Sequence, residues 1–423
     1  MTQSKELAEH FFRHEYSKMV AVMTRYFGIG QVDLAEDVVQ DTLLEAIKFW
    51  EYKSIPDNPK AWLYTVAKNK ALNAIKRKEL HNRHEDEIKY AHAGQNLEAS
   101  IDQLFSEQRI ADDQLSMIFA CCHPAIAQEA QITLILKTLC GLSISEIAKA
   151  YLTTNETINK RLVRARKILR QNNIQFEIPN QTELDNRLNA VLKTIFLLFN
   201  EGYSATNGSR LIRYELCMEA IRLADLIISN RSFKSNTPVH ALLALMLLDA
   251  SRFEARQDGE GNIIEMSKQD RSKWNQALIN KGLYHLGKIQ ESRQISIYHV
   301  LGTISAYHCS SPSYASTNWS AILSLYDTLI VFDHSPIILL NRAIAVAKIH
   351  GSGQAIAELV ELESTGALEN YYLLHSTLAE LYIEQKQYEK AANSFKKAIQ
   401  LTRNDAEIRL LTSKLEHCEK ELK

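Results

Sequence analysis

Glycine and proline are scarce, at 14 and 7 of 423 residues. That excludes the turn-dense chains that build sandwiches, barrels and collagen-like repeats. Cysteine is rarer still, and Cys121, Cys122, Cys140, Cys217, Cys309 and Cys418 are scattered. No disulfide framework is encoded, and a reducing compartment fits. No uninterrupted apolar run of about 18 residues occurs, so no membrane span is expected. The segment MTQSKELAEHFFRHEY is charged and amphipathic, without the apolar core and cleavage site of a signal peptide, and predicts a cytoplasmic chain. An excess of either charge is also missing: 49 Lys and Arg oppose 50 Asp and Glu, for a formal net charge of −1. Any grip on nucleic acid must therefore be a local concentration of cations.

What the chain has is helical periodicity. Apolar residues recur at steps of three and four, alternating patterns are few, and the length suits two or three domains. The expected fold is all-α. A first block spans residues 5–80, a polar linker 81–107, a second block 108–172, and a helical extension 184–330. Residues 331–423 read as TPR-like. Leu378, Ala379, Tyr382, Tyr388, Ala391, Phe395 and Ala398 fall at tetratricopeptide spacing, and Ala343, Val346, Ala355, Leu359 and Leu362 echo it 36 residues earlier.

The segment SISEIAKAYLTTNETINKRLVRARKILR reads as a helix-turn-helix. Ser143 with Glu146, and Thr153 with Glu156, have the spacing of two capping boxes. Ile158, Leu162, Ala165 and Leu169 form one apolar stripe on the second helix, with cations on the other faces. The DNA major groove accepts such a helix, and residues near its N-terminus reach base edges. Asn155, Glu156, Thr157, Lys160 and Arg161 are the candidate readers, with Arg164 and Lys167 on phosphates. The alternative is a solvated basic helix in a bundle.

Two more helices precede it. In DLAEDVVQDTLLEAIKFW, Asp33 is a candidate N-cap with Glu36 three residues on. Ala35, Val38, Val39, Thr42, Ala46 and Phe49 make one face, with Glu36, Asp37 and Asp41 away from it. Phosphates repel an acidic face, so this one suits a protein partner or solvent. In PDNPKAWLYTVAKNKALNAIKRK, Asn58 caps and Pro59 opens the helix. Trp62, Val66, Asn69, Asn73 and Lys76 line one side, and Lys68, Lys70, Arg77 and Lys78 add charge. A stacking ring with amides and cations is what single-strand binding needs. A core tryptophan beneath a solvated face is the competing reading.

Together these blocks resemble an extracytoplasmic-function (group IV) sigma factor over residues 8–172. The motifs are Ala35–Gln40, Pro59, Trp62–Leu63, Ala67, Asn69 and Lys76–Arg77, then Gly141–Ser143, Glu146–Ala148, Thr157, Arg161–Leu162 and Arg164–Arg166. Leu152 departs from the glycine common at that turn. DDQLSMIFACCHPAI, FNEGYSAT, ALLALMLLDASRFEARQDGEG and QDRSKWNQALI look like the subgroup with a long C-terminal helical extension. The resemblance implies the roles. Asp33, Glu36, Asp37, Gln40 and Asp41 would dock on the β′ clamp helices of core RNA polymerase. Trp62, Asn69, Asn73, Lys76 and Arg77, with the loop at residues 51–58, would capture a melted −10 base. The helix-turn-helix would read the −35 element near the β flap, and the linker would thread toward the RNA channel. No catalysis, cofactor or metal is implied, and an unknown protein or ligand is expected at the TPR-like repeats.

Other classes have less support. No P-loop, dinucleotide glycine pattern, HExxH or GxSxG occurs. Cys121–Cys122–His123 reads as helix-end packing or, less well, a metal cluster, since adjacent side chains diverge. Gly202 reads as a left-handed helix cap. Asp249, Arg252, Arg256 and Asp270–Arg271 read as a salt-bridge network or ligand pocket, and Asp258–Asn262 as a turn. A helix-turn-helix regulator that never binds polymerase is the rival function.

Overall fold

The computed structural model describes residues 2–82, 107–151, 153–172, 174–179, 181–205, 211–290 and 295–423. Most of the linker, and Leu152 in the turn, lie outside them, as do the side chains of Arg77 and Lys78. The fold is all-α as expected: 18 helices, with no strand among the described residues and one isolated bridge, Gln257–Ile263. No helix of the described residues is long and apolar enough to cross a membrane. The chain divides into two compact units, Met1–Leu198 and Phe199–Lys423.

The first unit starts with α1 (Thr2–Phe27), α2 (Val32–Lys53) and α3 (Pro59–Asn82). Most of the predicted α2 face is buried: Ala35, Val38, Val39, Thr42 and Ala46 are core residues and Phe49 is half-buried, and the helix packs on α1 and α3. Asn58 caps α3 as expected, accepting from the Ala61 amide at 3.0 Å. Asp33 does not cap α2. That helix starts at Val32 after a Gln31 that makes no side-chain cap.

Four helices follow: α4 (Glu107–Cys121), α5 (Gln128–Thr138), α6 (Ile144–Ala150) and α7 (Asn155–Gln171). Arg25 of α1 pairs with buried Asp113 of α4, and Gln114 donates to the Ser17 hydroxyl at 2.9 Å. The first capping box forms as the sequence says. The Ser143 amide donates to Glu146 at 2.6 Å, and the Glu146 amide to Ser143 Oγ at 3.2 Å. The second is displaced by one residue. Thr154, not Thr153, accepts from the Thr157 amide at 3.2 Å, and Glu156 instead pairs with Lys160 at 2.7 Å. Ile158, Leu162, Ala165 and Leu169 of α7 are all buried.

The second unit takes the end of α8 (Gln181–Tyr203), then α9 (Tyr214–Ser229), α10 (Thr237–Ala250), α11 (Gln276–Gly287) and α12 (Ile297–Ser310). It continues with α13 (Trp319–Phe332), α14 (Pro336–His350), α15 (Ser352–Ser364), α16 (Tyr372–Glu384), α17 (Tyr388–Leu401) and α18 (Asp405–Glu421). Nearly all of α10 is buried, so it has no polar face for periodicity to reveal. Gly282 lets α11 approach it; a Cβ there would sit 2.8 Å from Leu248 Cγ. The repeat positions are core: Ala343, Val346, Ala355 and Leu359, then Ala379, Ala391, Phe395 and Ala398, are buried.

The last helix closes this unit on its first turn. Asn404 donates to the Ala205 carbonyl at 3.1 Å. Arg409 donates to Asn262 Oδ1 at 3.2 Å, and Lys414 pairs with Glu265 and Glu380. Asp258 holds the turn before them, accepting from the Glu260 and Asn262 amides at 2.9 and 2.8 Å.

Gly202 is not a left-handed cap. It lies inside α8, where a Cβ would come within 2.7 Å of Cys217 Sγ and 2.8 Å of its amide nitrogen. Gly202→Ala should therefore destabilise the unit by about 1–3 kcal/mol, the cost of overpacking a close contact. Urea denaturation measures it; a loss under about 0.5 kcal/mol, the range of surface changes, would mean α9 yields.

Candidate nucleic-acid interface

The apolar stripe of α7 fixes which side chains face outward. Lys160, Arg164 and Lys167 are exposed on the side opposite the stripe, and Asn155 and Glu156 are exposed at its N-terminus. Thr157 is half-buried beside the cap. Arg161 is placed differently: it is half-buried, with its guanidinium 5.2 Å from the Tyr151 ring centre. It braces the helix-turn-helix as well as facing its rim. Val163 is 65% exposed on this cationic surface. Counting charges missed it, yet an apolar tip among cations suits a thymine methyl.

Trp62 of α3 is half-buried in an aromatic cluster. Its ring stacks on Phe49 at 5.1 Å and lies against Trp50 at 5.9 Å. Tyr52, 85% exposed, lies in the last turn of α2, and Ser54 leaves the helix with φ 68°. Asn69, Asn73 and Lys76 are exposed along α3. Trp62 is thus packed and partly open, so the core and contact roles are not exclusive. The sequence reading missed the cluster, because Phe49 and Trp50 precede a loop that breaks the periodic signal. Arg77 belongs to α3, but its side chain is outside the described residues.

On α2 the five acidic and amide candidates separate into two groups. Asp37, Gln40 and Asp41 are exposed, and the exposed apolar residues Leu44 and Ile47 continue that surface. Glu36 was expected to face outward; it is 5% exposed. Its carboxylate accepts from Arg166 of α7 at 2.6 Å and from the Tyr16 hydroxyl at 3.4 Å. Asp33 is half-buried and also faces α7, with Arg166 at 3.0 Å and Arg170 at 3.4 Å. Burial raises the Glu36 carboxyl above its ordinary range, and the Arg166 charge opposes that. Without Arg166 this carboxylate would be a costly buried anion.

Cys121 and Cys122 are buried at the end of α4, where burial lifts the Cys121 thiol to about 12 and Cys122 well above its ordinary value. Both side chains are packed into the core there. His123 Nδ1 instead accepts from the Ala125 amide at 3.1 Å.

Residues 11–80 match sigma-70 region 2, residues 187–290 a family of unknown function, DUF6596, and residues 372–405 the tetratricopeptide repeat. An uncharacterized protein of Rhizobium meliloti (strain 1021) is 32% identical over 405 residues, 94% of this chain and 92% of that protein. No solved structure matches. Residues 11–80 thus carry a sigma-70 region 2 domain, and over almost its whole length the chain belongs to one family with that Rhizobium protein.

Proposed function

We propose that this protein is a sigma factor of the extracytoplasmic-function group that binds core RNA polymerase and directs promoter-specific initiation in the cytoplasm. The observation that carries the proposal is the pairing, inside the region 2 match, of an exposed acidic and apolar strip on α2 with the Trp62 cluster of α3. Asp37, Gln40, Asp41, Leu44 and Ile47 form the surface for the β′ clamp helices. Trp62, Asn69, Asn73, Lys76 and Arg77 take the melted −10 strand, where an aromatic face stacks on an unpaired base and amides and cations hold the backbone. Asn155, Glu156, Thr157, Lys160, Arg161, Arg164 and Lys167 address the −35 duplex, with α6–α7 near the β flap. The sigma chain catalyses nothing; by binding the melted strand it favours the open state through mass action. The extension acts in cis as regulator and presents its repeats to a protein or ligand.

Capture of core polymerase and run-off transcription test this proposal, and separate it from a helix-turn-helix regulator that works without polymerase. Asp37 is exposed, so its reversal tests charge without disturbing the core. Asp37→Lys should weaken core capture at least about tenfold, since a like-charge contact costs several kcal/mol. Full capture by this variant would remove α2 from the docking surface.

A further inference from the structure

A cavity of about 430 Å³ opens in the first unit, between the turn after α4, the segment that leaves α7 and the first turns of α8. That volume suits a small molecule. Its described walls are held in place. Arg187 of α8 is 7% exposed, and its Nη1 donates to the Phe119 carbonyl at 3.2 Å, which ties α8 to α4. The Gln131 side chain donates to the His123 and Ile126 carbonyls at 2.9 and 2.8 Å, which fixes the turn after α4. On the segment after α7, Ile174 is buried and the Arg25 guanidinium lies 5.0 Å from the Phe176 ring centre. A wall built in advance lowers the ordering cost that a ligand must offset.

The lining sorts by chemistry. His123 Nδ1 accepts from the Ala125 amide at 3.1 Å, so that nitrogen carries no proton. Burial and the Arg187 charge hold the ring below its ordinary pKa. It is therefore neutral near neutral pH, with its proton on Nε2 as a donor. Arg187 adds a cation on the buried side. Its Nη2 donates to Glu183 at 2.7 Å, and its Nε has no partner among the described residues. An unpaired buried donor is costly, and an acceptor brought beside it offsets that cost. Glu177 and Glu183 are exposed at the solvent side, and Ile174, Ile178 and Pro179 supply apolar wall.

We propose that this cavity binds a free α-amino acid with an apolar side chain. The carboxylate goes inward to Arg187 and His123, the ammonium meets Glu177, and the side chain lies on Ile174, Ile178 and Pro179. Each charged end then makes charge-assisted hydrogen bonds. Glu183, with its side chain 52% exposed, balances Arg187 without ligand and yields to solvent at small cost when a carboxylate arrives. A simple amine leaves the inner donors unmet, and a simple carboxylic acid leaves Glu177 unmatched. The end of a peptide brings only one of the two charged groups. The inference stands apart from polymerase binding, since none of these residues belongs to the proposed DNA or polymerase surfaces.

Isothermal titration calorimetry on the full chain is the test, with leucine and phenylalanine as probes. The amide of each lacks the carboxylate, and the N-acetyl form lacks the ammonium. We expect saturable binding of leucine or phenylalanine at one site per chain. Both derivatives should bind at least about tenfold more weakly, as each loses a charge-assisted hydrogen bond. Glu177→Gln, at an exposed position, should fold as wild type and lose at least about tenfold in affinity for the amino acid. Glu177→Asp keeps the charge and should recover part of that loss. No saturable binding of either amino acid at millimolar concentration overturns the site. So does an amide or N-acetyl form that binds as well as the parent, since only one end would then be recognised. A folded Glu177→Gln variant with full affinity overturns it too. Binding is read without polymerase, so the outcome is independent of whether the chain captures core.

Discussion

Arg252→Ala should cost the second unit about 3–5 kcal/mol, the range for removing one partner of a buried ion pair. Arg252 is 9% exposed. It donates to the Tyr203 hydroxyl and pairs with Asp249 at 3.5 Å, and its guanidinium lies 5.8 Å from the ring centres of Tyr203 and Trp274. Asp249 also accepts from Ser305 at 3.0 Å, and burial raises its carboxyl. Alanine would leave that carboxylate with one hydroxyl donor and open a void between two rings. Arg256 compensates only in part: its charge also favours the Asp249 carboxylate, but its guanidinium donates to the Tyr203 carbonyl and stacks 3.7 Å from the ring centre. Urea titration is the measurement. Lys396→Ala, at an exposed pair with Glu419, is the control and should lose under about 1 kcal/mol. An equal loss in both variants would remove Arg252 from the core of the unit.

The second large effect is expected at Trp62. Stacking of a base on an aromatic ring is worth about 1–3 kcal/mol by alanine substitution. With core polymerase, Trp62→Ala should therefore reduce permanganate reactivity of melted promoter thymines by about tenfold or more. The half-open ring also packs on Phe49 and Trp50, so a loss of structure must be separated from a loss of contact. Trp62→Phe keeps a stacking face and should recover part of the opening, and circular dichroism should find both variants folded. Normal opening in a folded Trp62→Ala holoenzyme would leave the ring as packing alone.

These two residues differ in how far the sequence reveals them. Trp62 belongs to a local pattern, a capped helix with amides and cations at fixed steps, and local patterns survive folding. So do the Ser143–Glu146 box, the α7 stripe and the repeat positions around Phe395, all set within a few residues. Where the sequence misleads, a distant partner decides. Asp33 looks like a cap, but its carboxylate goes to Arg166 and Arg170. Glu36 looks solvent-facing, but Arg166, 130 residues away, draws it inward. Gly202 looks like a helix end, but Cys217 requires it to be small within the helix. Thr154 displaces Thr153 because adjacent threonines offer the same hydroxyl and only the turn geometry chooses. Asp249, Arg252, Arg256 and Asp270–Arg271 were legible as a set of charges, but not as contacts: Asp249 pairs with Arg252, whereas Arg256 and Arg271 donate to backbone carbonyls distant in the chain.

The bond from Asn404 to the Ala205 carbonyl joins residues 199 positions apart. Repeat arrays ordinarily build by neighbour contacts alone, but here the Ala205 carbonyl gains the Asn404 side chain only once the last helix has been made. On the ribosome the first unit, ending at Leu198, is complete well before that. At roughly 5–20 residues per second, the remaining chain takes on the order of 10–45 s to appear. Each newly made molecule therefore passes through an interval in which the region 2 fold and α7 are present and the C-terminal unit is still open.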